Sequence, residues 1–370
     1  MIVRIVVSRV RSLRTPSALL VFSGLVLHGA IAAEPKTRSP IPAQGYFAPP
    51  VKRVTLLTEQ GGRVDWSFQN RIAFDRKGPN GYYEIWVMNP DGSGQRCLTC
   101  GQPGAPAKHK GNPAWHPSGE YIVFQAQKED TSGLLKFLAA PGRGVANDLW
   151  VMNASGTRYW KIVDVHKGFP ASGTLHPHFS RDGSKLFWSQ LRHGGGGKLG
   201  VWDLRIGTFR VGPDGPYLTD IRDMQPGPVQ KFFESHGFTP DGRKILFTAQ
   251  TPTGYADEFL MDLASGEITN LSRTPDQWSE HGQISPDGRL IVWATNRGET
   301  KRYLNLWLMN IDGSDQREIV NFHHPGTPVY TEGIGPADSS WSPDSRKLVV
   351  YVISDERETQ GRILLVEFDF

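Results

Sequence analysis

At 370 residues, 38% hydrophobic and 21% charged, the chain has the composition of an ordinary folded protein and enough length to bury a large core. Its formal charge of +4 equals the four arginines of the first 33 residues, so the rest is balanced and offers no basic surplus for nucleic acid or an anionic membrane surface. Two cysteines are too few for a structural zinc site.

In chain order, Arg4, Arg9, Arg11 and Arg14 precede an apolar run over 18–27, and Ala30, Ile31, Ala32 and Ala33 supply small residues for cleavage. Residues 1–33 therefore read as a secretory signal peptide, too short in its apolar run to stay as an anchor, and the protein is expected in the periplasm or secreted. No Cys follows the leader to carry a lipid, and no later apolar stretch reaches spanning length. The Pro-rich segment 34–50 reads as an extended linker, and 51–58, VKRVTLLT, as a lone strand.

From Arg63 onward one unit recurs. Segments 66–74, 114–124, 178–188, 237–247, 283–293 and 340–350 are six versions of a strand-turn-strand hairpin, with turns such as Ser285-Pro286-Asp287-Gly288. In the first five units a third strand follows, and Trp86, Trp150, Val201, Leu260 and Trp307 each stand six residues before a glycine, at 92, 156, 207, 266 and 313. Those glycines are read as turns into a fourth strand: QRCLT, YWKIV, TFRVG, EITNL and QREIV. The sixth unit stops after its third strand, at Phe370. A leading strand that completes the trailing sheet would close a ring and remove two exposed edges. The expected fold is thus all-β, a six-bladed β-propeller over residues 51–370, closed by an N-terminal strand completing the last blade. No window shows the 3.6-residue periodicity that an α-helical or α/β fold requires.

Cys97 and Cys100 end a strand. In an exported chain this spacing suits a small disulfide, and the strand-to-helix setting of a redox-catalytic pair is missing.

The turns ISPDGR, FTPDGR, WSPDSR, MNPDGS and MNIDGS resemble the TolB-type repeat of WD40-like β-propellers, over about residues 51–370. The resemblance implies the propeller fold and leaves function open, because such repeats serve both scaffolds and enzyme domains. Residues 34–50 leave no room for the additional N-terminal α/β domain of TolB proteins.

In a propeller, the connection from each blade arrives at one rim of the central channel, so residues just before each hairpin converge there. Six residues upstream of the turn Asp or its equivalent lie Asn112, His176, Ser235, His281 and Asp338, flanked by Glu234, Glu280, His178 and His236. Asn112, His176, His236, Glu280, His281 and Asp338 are the expected ligand-binding residues. Imidazoles and carboxylates in a partly dry funnel can hold a divalent metal, here on His176, His178, His236 and His281, or act as acid and base near neutral pH. The same residues could equally be satisfied polar groups bonded to loop carbonyls. The expected ligand is a protein, peptide or carbohydrate at the channel rim, bound by a monomer. The alternative is a metal-dependent polysaccharide lyase or hydrolase, because the His cluster is similar to that of oligogalacturonate lyases.

His166, His323 and His324 fall on inter-blade loops at the same rim, while His116 and His193 are expected to be structural or solvated. The run Gly194 to Gly197 lacks the context of a phosphate loop, and segment 133–144 is a mildly apolar insert, a packed loop or a lid. HExxH and GxSxG signatures are absent.

Overall fold

The computed structural model describes residues 45–131, 134–166, 172–194, 200–299, 303–355 and 361–370; the leader and most of the linker, residues 1–44, lie outside them, as do residues 195–197 of the glycine run. The hairpin turns show why the repeat carries Ser/Thr-Pro-Asp. Ser285 Oγ donates to Asp287 Oδ1 at 2.6 Å while accepting from the Leu290 amide at 3.0 Å, and the Gly288 amide donates to the Ser285 carbonyl at 2.8 Å. Ser342 with Asp344 and Lys347, Thr239 with Asp241 and Lys244, and Ser180 with Asp182 and Lys185 repeat the arrangement. One side chain thus satisfies backbone groups across a turn too tight to satisfy them itself.

These hairpins build six four-stranded antiparallel sheets. The first holds β2 (Val64–Trp66), β3 (Ile72–Lys77), β4 (Tyr83–Met88) and β5 (Arg96–Cys97). The second holds β6 (Lys110–Trp115), β7 (Tyr121–Gln127), β8 (Asn147–Asn153) and β9 (Tyr159–Val163), with a five-residue helix α1 (Leu134–Leu138) between β7 and β8. The third holds β10 (Gly173–Phe179), β11 (Lys185–Gly194), β12 (Gly200–Gly212) and β13 (Gly215–Met224). The fourth holds β14 (Phe233–Phe238), β15 (Lys244–Gln250), β16 (Ala256–Asp262) and β17 (Ile268–Asn270); the fifth holds β18 (Ser279–Ile284), β19 (Leu290–Thr295), β20 (Asn305–Asn310) and β21 (Arg317–Val320). In the sixth, β22 (Gly335–Trp341), β23 (Lys347–Ile353) and β24 (Gly361–Phe368) are joined by β1 (Val51–Thr58), which pairs with β24 from Val51 opposite Phe368 to Thr58 opposite Ile363. This is a six-bladed β-propeller. No helix among the described residues is long and apolar enough to cross a membrane.

The third sheet departs from the expected spacing. Gly207 is not a turn but a mid-strand residue opposite Leu186, and β12 continues through TFRVG to Gly212 before turning into β13. Phe209 is buried there against Leu186 and Trp188, and that packing carries the strand past the glycine.

Each inter-sheet seam is filled by apolar side chains, including the seam between last and first sheets, where Val349, Ile363 and Leu365 pack on Trp66, Ile72 and Phe74. The innermost strands then converge on the axis. Five of them carry a register shift at the same place: between Gly111 and Ala114, Leu175 and His178, Ser235 and Gly237, Glu280 and Gln283, and Pro336 and Ser339. Asn112, His176 and His281 sit in these bulges with φ of 48°, 47° and 61°, a left-handed region that costs a non-glycine residue about 1–3 kcal/mol.

Deleting 51–58 would bare the edge of β24 and remove Val51 from the seam between the fifth and sixth sheets. The expected result, read by thermal melting and light scattering, is a Tm lowered by about 10 °C or aggregation on heating. An unchanged Tm would show that the ring does not need this strand.

Candidate functional site

The bulges aim side chains that simple alternation along a strand would send elsewhere. A cavity of about 570 Å³ opens at one mouth of the channel, and its polar floor is formed by Arg63, His176, Glu234, Glu280, His281 and Asp338. Phe232 and Trp278, with ring centroids 6.0 Å apart, and the exposed Tyr255 line one side.

His176 is the buried hub. Its Nδ1 lies 2.6 Å from Glu234 Oε1 and its Nε2 lies 3.3 Å from Asp338 Oδ1, so each ring nitrogen faces a carboxylate oxygen. Burial pulls the His176 imidazole down, but Asp338 and Glu234 outweigh it and hold the group above its ordinary value. In turn, burial would raise Glu234 and Asp338, and the facing imidazoles of His176 and His281 hold both below the usual carboxylate range. His281 sits with Nε2 3.7 Å from Glu280 Oε1 and Nδ1 3.9 Å from Asp338 Oδ1, and its Nδ1 is buried without a hydrogen bond. Ligand atoms of Glu234, Glu280 and His281 all lie within 4.8 Å of one another.

The expected four-imidazole ligand set is not what the geometry assembles. His178 Nε2 carries a proton that it donates to the Ser235 carbonyl at 3.1 Å, so that nitrogen offers a metal no lone pair, and burial followed by the nearby His176 pushes the ring down to about 4. His236 Nε2 lies 2.6 Å from Thr248 Oγ1, whose hydroxyl donates to Glu258 Oε1. Both rings line the opposite mouth, a smaller opening of about 160 Å³. The physical reason is the bulge: an extra residue between Leu175 and His178 breaks the period-2 alternation that would keep His176 and His178 on one side. The His236 ring remains 6.4 Å from that of His176 and 6.2 Å from that of His281, beneath them. Asn112 is committed to the fold, its Oδ1 accepting from the Gly142 amide at 3.3 Å. Of the loop histidines, His323 stacks on Tyr303 and bonds the Leu304 and Thr331 carbonyls, while His324 is exposed. His116 packs on Phe179 and Phe209 and bonds the Gly183 carbonyl.

Arg63 was legible in principle. The first turn, Ser67-Phe68-Gln69-Asn70, lacks Asp-Gly, but counting six back from Gln69, which occupies the Asp position, lands on Arg63. Its buried guanidinium lies 3.8 Å from Asp338 and 3.9 Å from Asp75 and over the Tyr351 ring. Gly142 passes so close that a Cβ there would lie 2.2 Å from Arg63 Nη2. Glu258 carried no repeat signature and was missed. It is fully buried on β16, accepting from the Gly282 amide at 2.8 Å, and burial pushes its carboxyl up to about 8. A Cβ at Gly282 would stand 2.6 Å from Glu258 Oε2.

No family model matches the chain. Among curated proteins it is 24% identical over 306 residues to dipeptidyl-peptidase 5 of Porphyromonas gingivalis, a match covering 75% of this chain and 41% of that protein. The chain therefore spans about two fifths of the length of this relative. Among solved structures it is similar to TolB from Acinetobacter baumannii, with a TM-score of 0.53 and 14% identity over 82% of this chain and 64% of that one. It is also similar to an oligogalacturonate lyase in complex with manganese, with a TM-score of 0.49 and 14% identity over 85% and 93%. The likeness to TolB shows the β-propeller fold alone.

Glu258 gives a pH prediction. Between the ordinary glutamate value and about 8, the folded chain holds a proton that the unfolded chain has released, so stability falls as pH rises across that window. Melting at pH 5 and pH 8 should show a larger fall in Tm for the wild type than for Glu258→Gln, whose amide keeps the acceptor for Gly282. Equal falls would mean Glu258 is already ionised in the folded state.

Proposed function

We propose that this chain is an exported, ligand-binding propeller scaffold whose funnel holds a divalent cation on Glu234, Glu280 and His281. The observation that carries the reading is the convergence of these three ligand atoms within 4.8 Å at the floor of one open cavity. First-row cations bind nitrogen and carboxylate oxygen at about 2.0–2.2 Å, which sets neighbouring ligand atoms roughly 3–3.5 Å apart, so small side-chain rotations would close the present spread onto a metal. Two carboxylates and one imidazole suit Mn²⁺ or Zn²⁺ better than the all-oxygen shell of Ca²⁺. The buried His281 Nδ1, which has no hydrogen-bond partner, supports it further, since buried polar atoms ordinarily have partners.

A bound cation would supply charge for polarising or gripping a donor oxygen of the ligand. Among the chain's own groups, His176 holds Glu234 and Asp338 in their charged forms, and the Gly282 amide fixes Glu258 behind the site. The Cys97–Cys100 disulfide supports an oxidising compartment, in keeping with export through the leader.

Calorimetric titration of EDTA-treated protein with Mn²⁺ tests this. One site per chain is expected, weakened at least tenfold in Glu234→Gln and in His281→Ala and retained in His178→Asn, whose ring faces the other mouth. Absence of a stoichiometric site, or wild-type affinity in His281→Ala, would overturn the reading. Turnover of an acidic oligosaccharide that His281→Ala abolishes would move it to a metal-dependent lyase or hydrolase.

A further inference from the structure

Cys97 ends β5, the outermost strand of the first sheet, and Cys100 stands in the turn that follows. Cys100 is exposed and Cys97 half-buried, so the disulfide between them is within reach of solvent. Beside it lies the buried Glu84 of β4: one carboxylate oxygen and the two sulfurs all fall within 4.8 Å of one another. None of the three residues lines either mouth of the channel.

The carboxylate is held in place from within the fold. Thr99, inside the cysteine turn, donates from Oγ1 to Glu84 Oε2 at 2.6 Å, and the buried Lys110 Nζ lies 3.0 Å from the same oxygen. The Ile85 amide donates to Thr99 Oγ1 at 3.0 Å and the Leu98 amide to the Ile85 carbonyl at 2.8 Å, which pins the turn to β4. Outer bonds of this kind orient a metal-ligating carboxylate. The Cys100 amide also donates to Cys97 Sγ at 3.0 Å, a bond that strengthens when the sulfur becomes a thiolate. The two Cα atoms are 5.7 Å apart; thiolates at the usual zinc–sulfur distance of about 2.3 Å stand about 3.8 Å from each other, a separation that side-chain rotation reaches without moving the turn.

We infer that Cys97, Cys100 and Glu84 form a redox-gated metal site: shut while the disulfide stands, and open to one thiophilic divalent cation of the Zn²⁺ class once a dithiol has reduced it. The sequence offers only two thiols, and the fold supplies the third donor. In the opening step a thiolate of the reductant attacks Cys100 Sγ, the exposed sulfur; the S–S bond breaks and Cys97 leaves as a thiolate held by the Cys100 amide. The second thiol of the reductant, after losing its proton, attacks the reductant sulfur of the mixed disulfide. Cys100 leaves as a thiolate, and the reductant departs as a disulfide, having given two electrons. The cation then occupies the two sulfurs in place of protons. This site does not depend on a cation in the funnel.

Cadmium is the reporter, because a thiolate–Cd²⁺ bond has an ultraviolet charge-transfer band that the sulfur-free funnel cannot give. The full chain, reduced with dithiothreitol and desalted without oxygen, is titrated with Cd²⁺ beside the oxidised chain. The reduced chain should show the band saturating at one Cd²⁺ per chain and displaced by Zn²⁺, and the oxidised chain should show none. Cys100→Ser should abolish the one-to-one phase. Glu84→Gln should weaken Cd²⁺ about 10- to 100-fold while its metal-free thiols are alkylated at the wild-type rate, the mark of an intact turn. Faster alkylation together with weaker binding would mean a structural role for Glu84 and overturn the assignment. Glu84→Asp keeps a carboxylate for Lys110 and should weaken Cd²⁺ less than Gln does; it decides the matter if Glu84→Gln does not fold. No band in the reduced chain, saturation at one Cd²⁺ per two chains, or wild-type affinity in either folded Glu84 variant would also overturn it.

Discussion

Apolar packing between neighbouring sheets is the constraint from which the rest of the molecule follows. A four-stranded sheet with both faces apolar cannot stand alone in water, and each sheet here is covered on both sides by its neighbours, with Trp188, Trp202 and Trp293 fully buried. A radial array of such sheets satisfies every face only when the last meets the first, as the seam of Trp66 and Phe74 with Val349 and Ile363 does. Once the ring is complete, the innermost strands have nowhere to go but the axis, and their leading residues meet there whether or not any function asks it of them.

What the chain does with that convergence is set by five bulges. An extra residue in β6, β10, β14, β18 and β22 unpairs the ladder at one level of the channel, and at three of the five a non-glycine residue takes a left-handed conformation. Strain of this sort survives only where surrounding packing over-determines it, and it separates His176 and His281, facing the large mouth, from His178 and His236, facing the small one. Electrostatics then sorts the histidines. His176, between two carboxylates, favours the proton; His236, buried behind His281 and His176, is pushed well below its ordinary value. One residue type on adjacent strands thus behaves in two ways.

The repeat was plain in the sequence because turn chemistry is local. Ser-Pro-Asp-Gly and its variants encode their own hydrogen bonds within six residues, and the glycines at 92, 156, 266 and 313 all take positive φ as turns require. The same reasoning failed at Gly207, where a local signal was overridden by the burial of Phe209 against Leu186 and Trp188. It also passed over Arg63, whose turn has lost the Asp-Gly signature, and Glu258, whose importance lies wholly in being enclosed.

The sequence by itself determined the sheets and their number, since these depend on spacing and on turns that close over a few residues. It could not say which way each rim side chain points. That is decided by bulges, which depend on the pairing of strands already assembled, and by burial, which exists only when neighbouring sheets have closed over the group. The meeting of Glu234, Glu280 and His281 is therefore a property of the ring, brought together by packing among residues far apart in the chain.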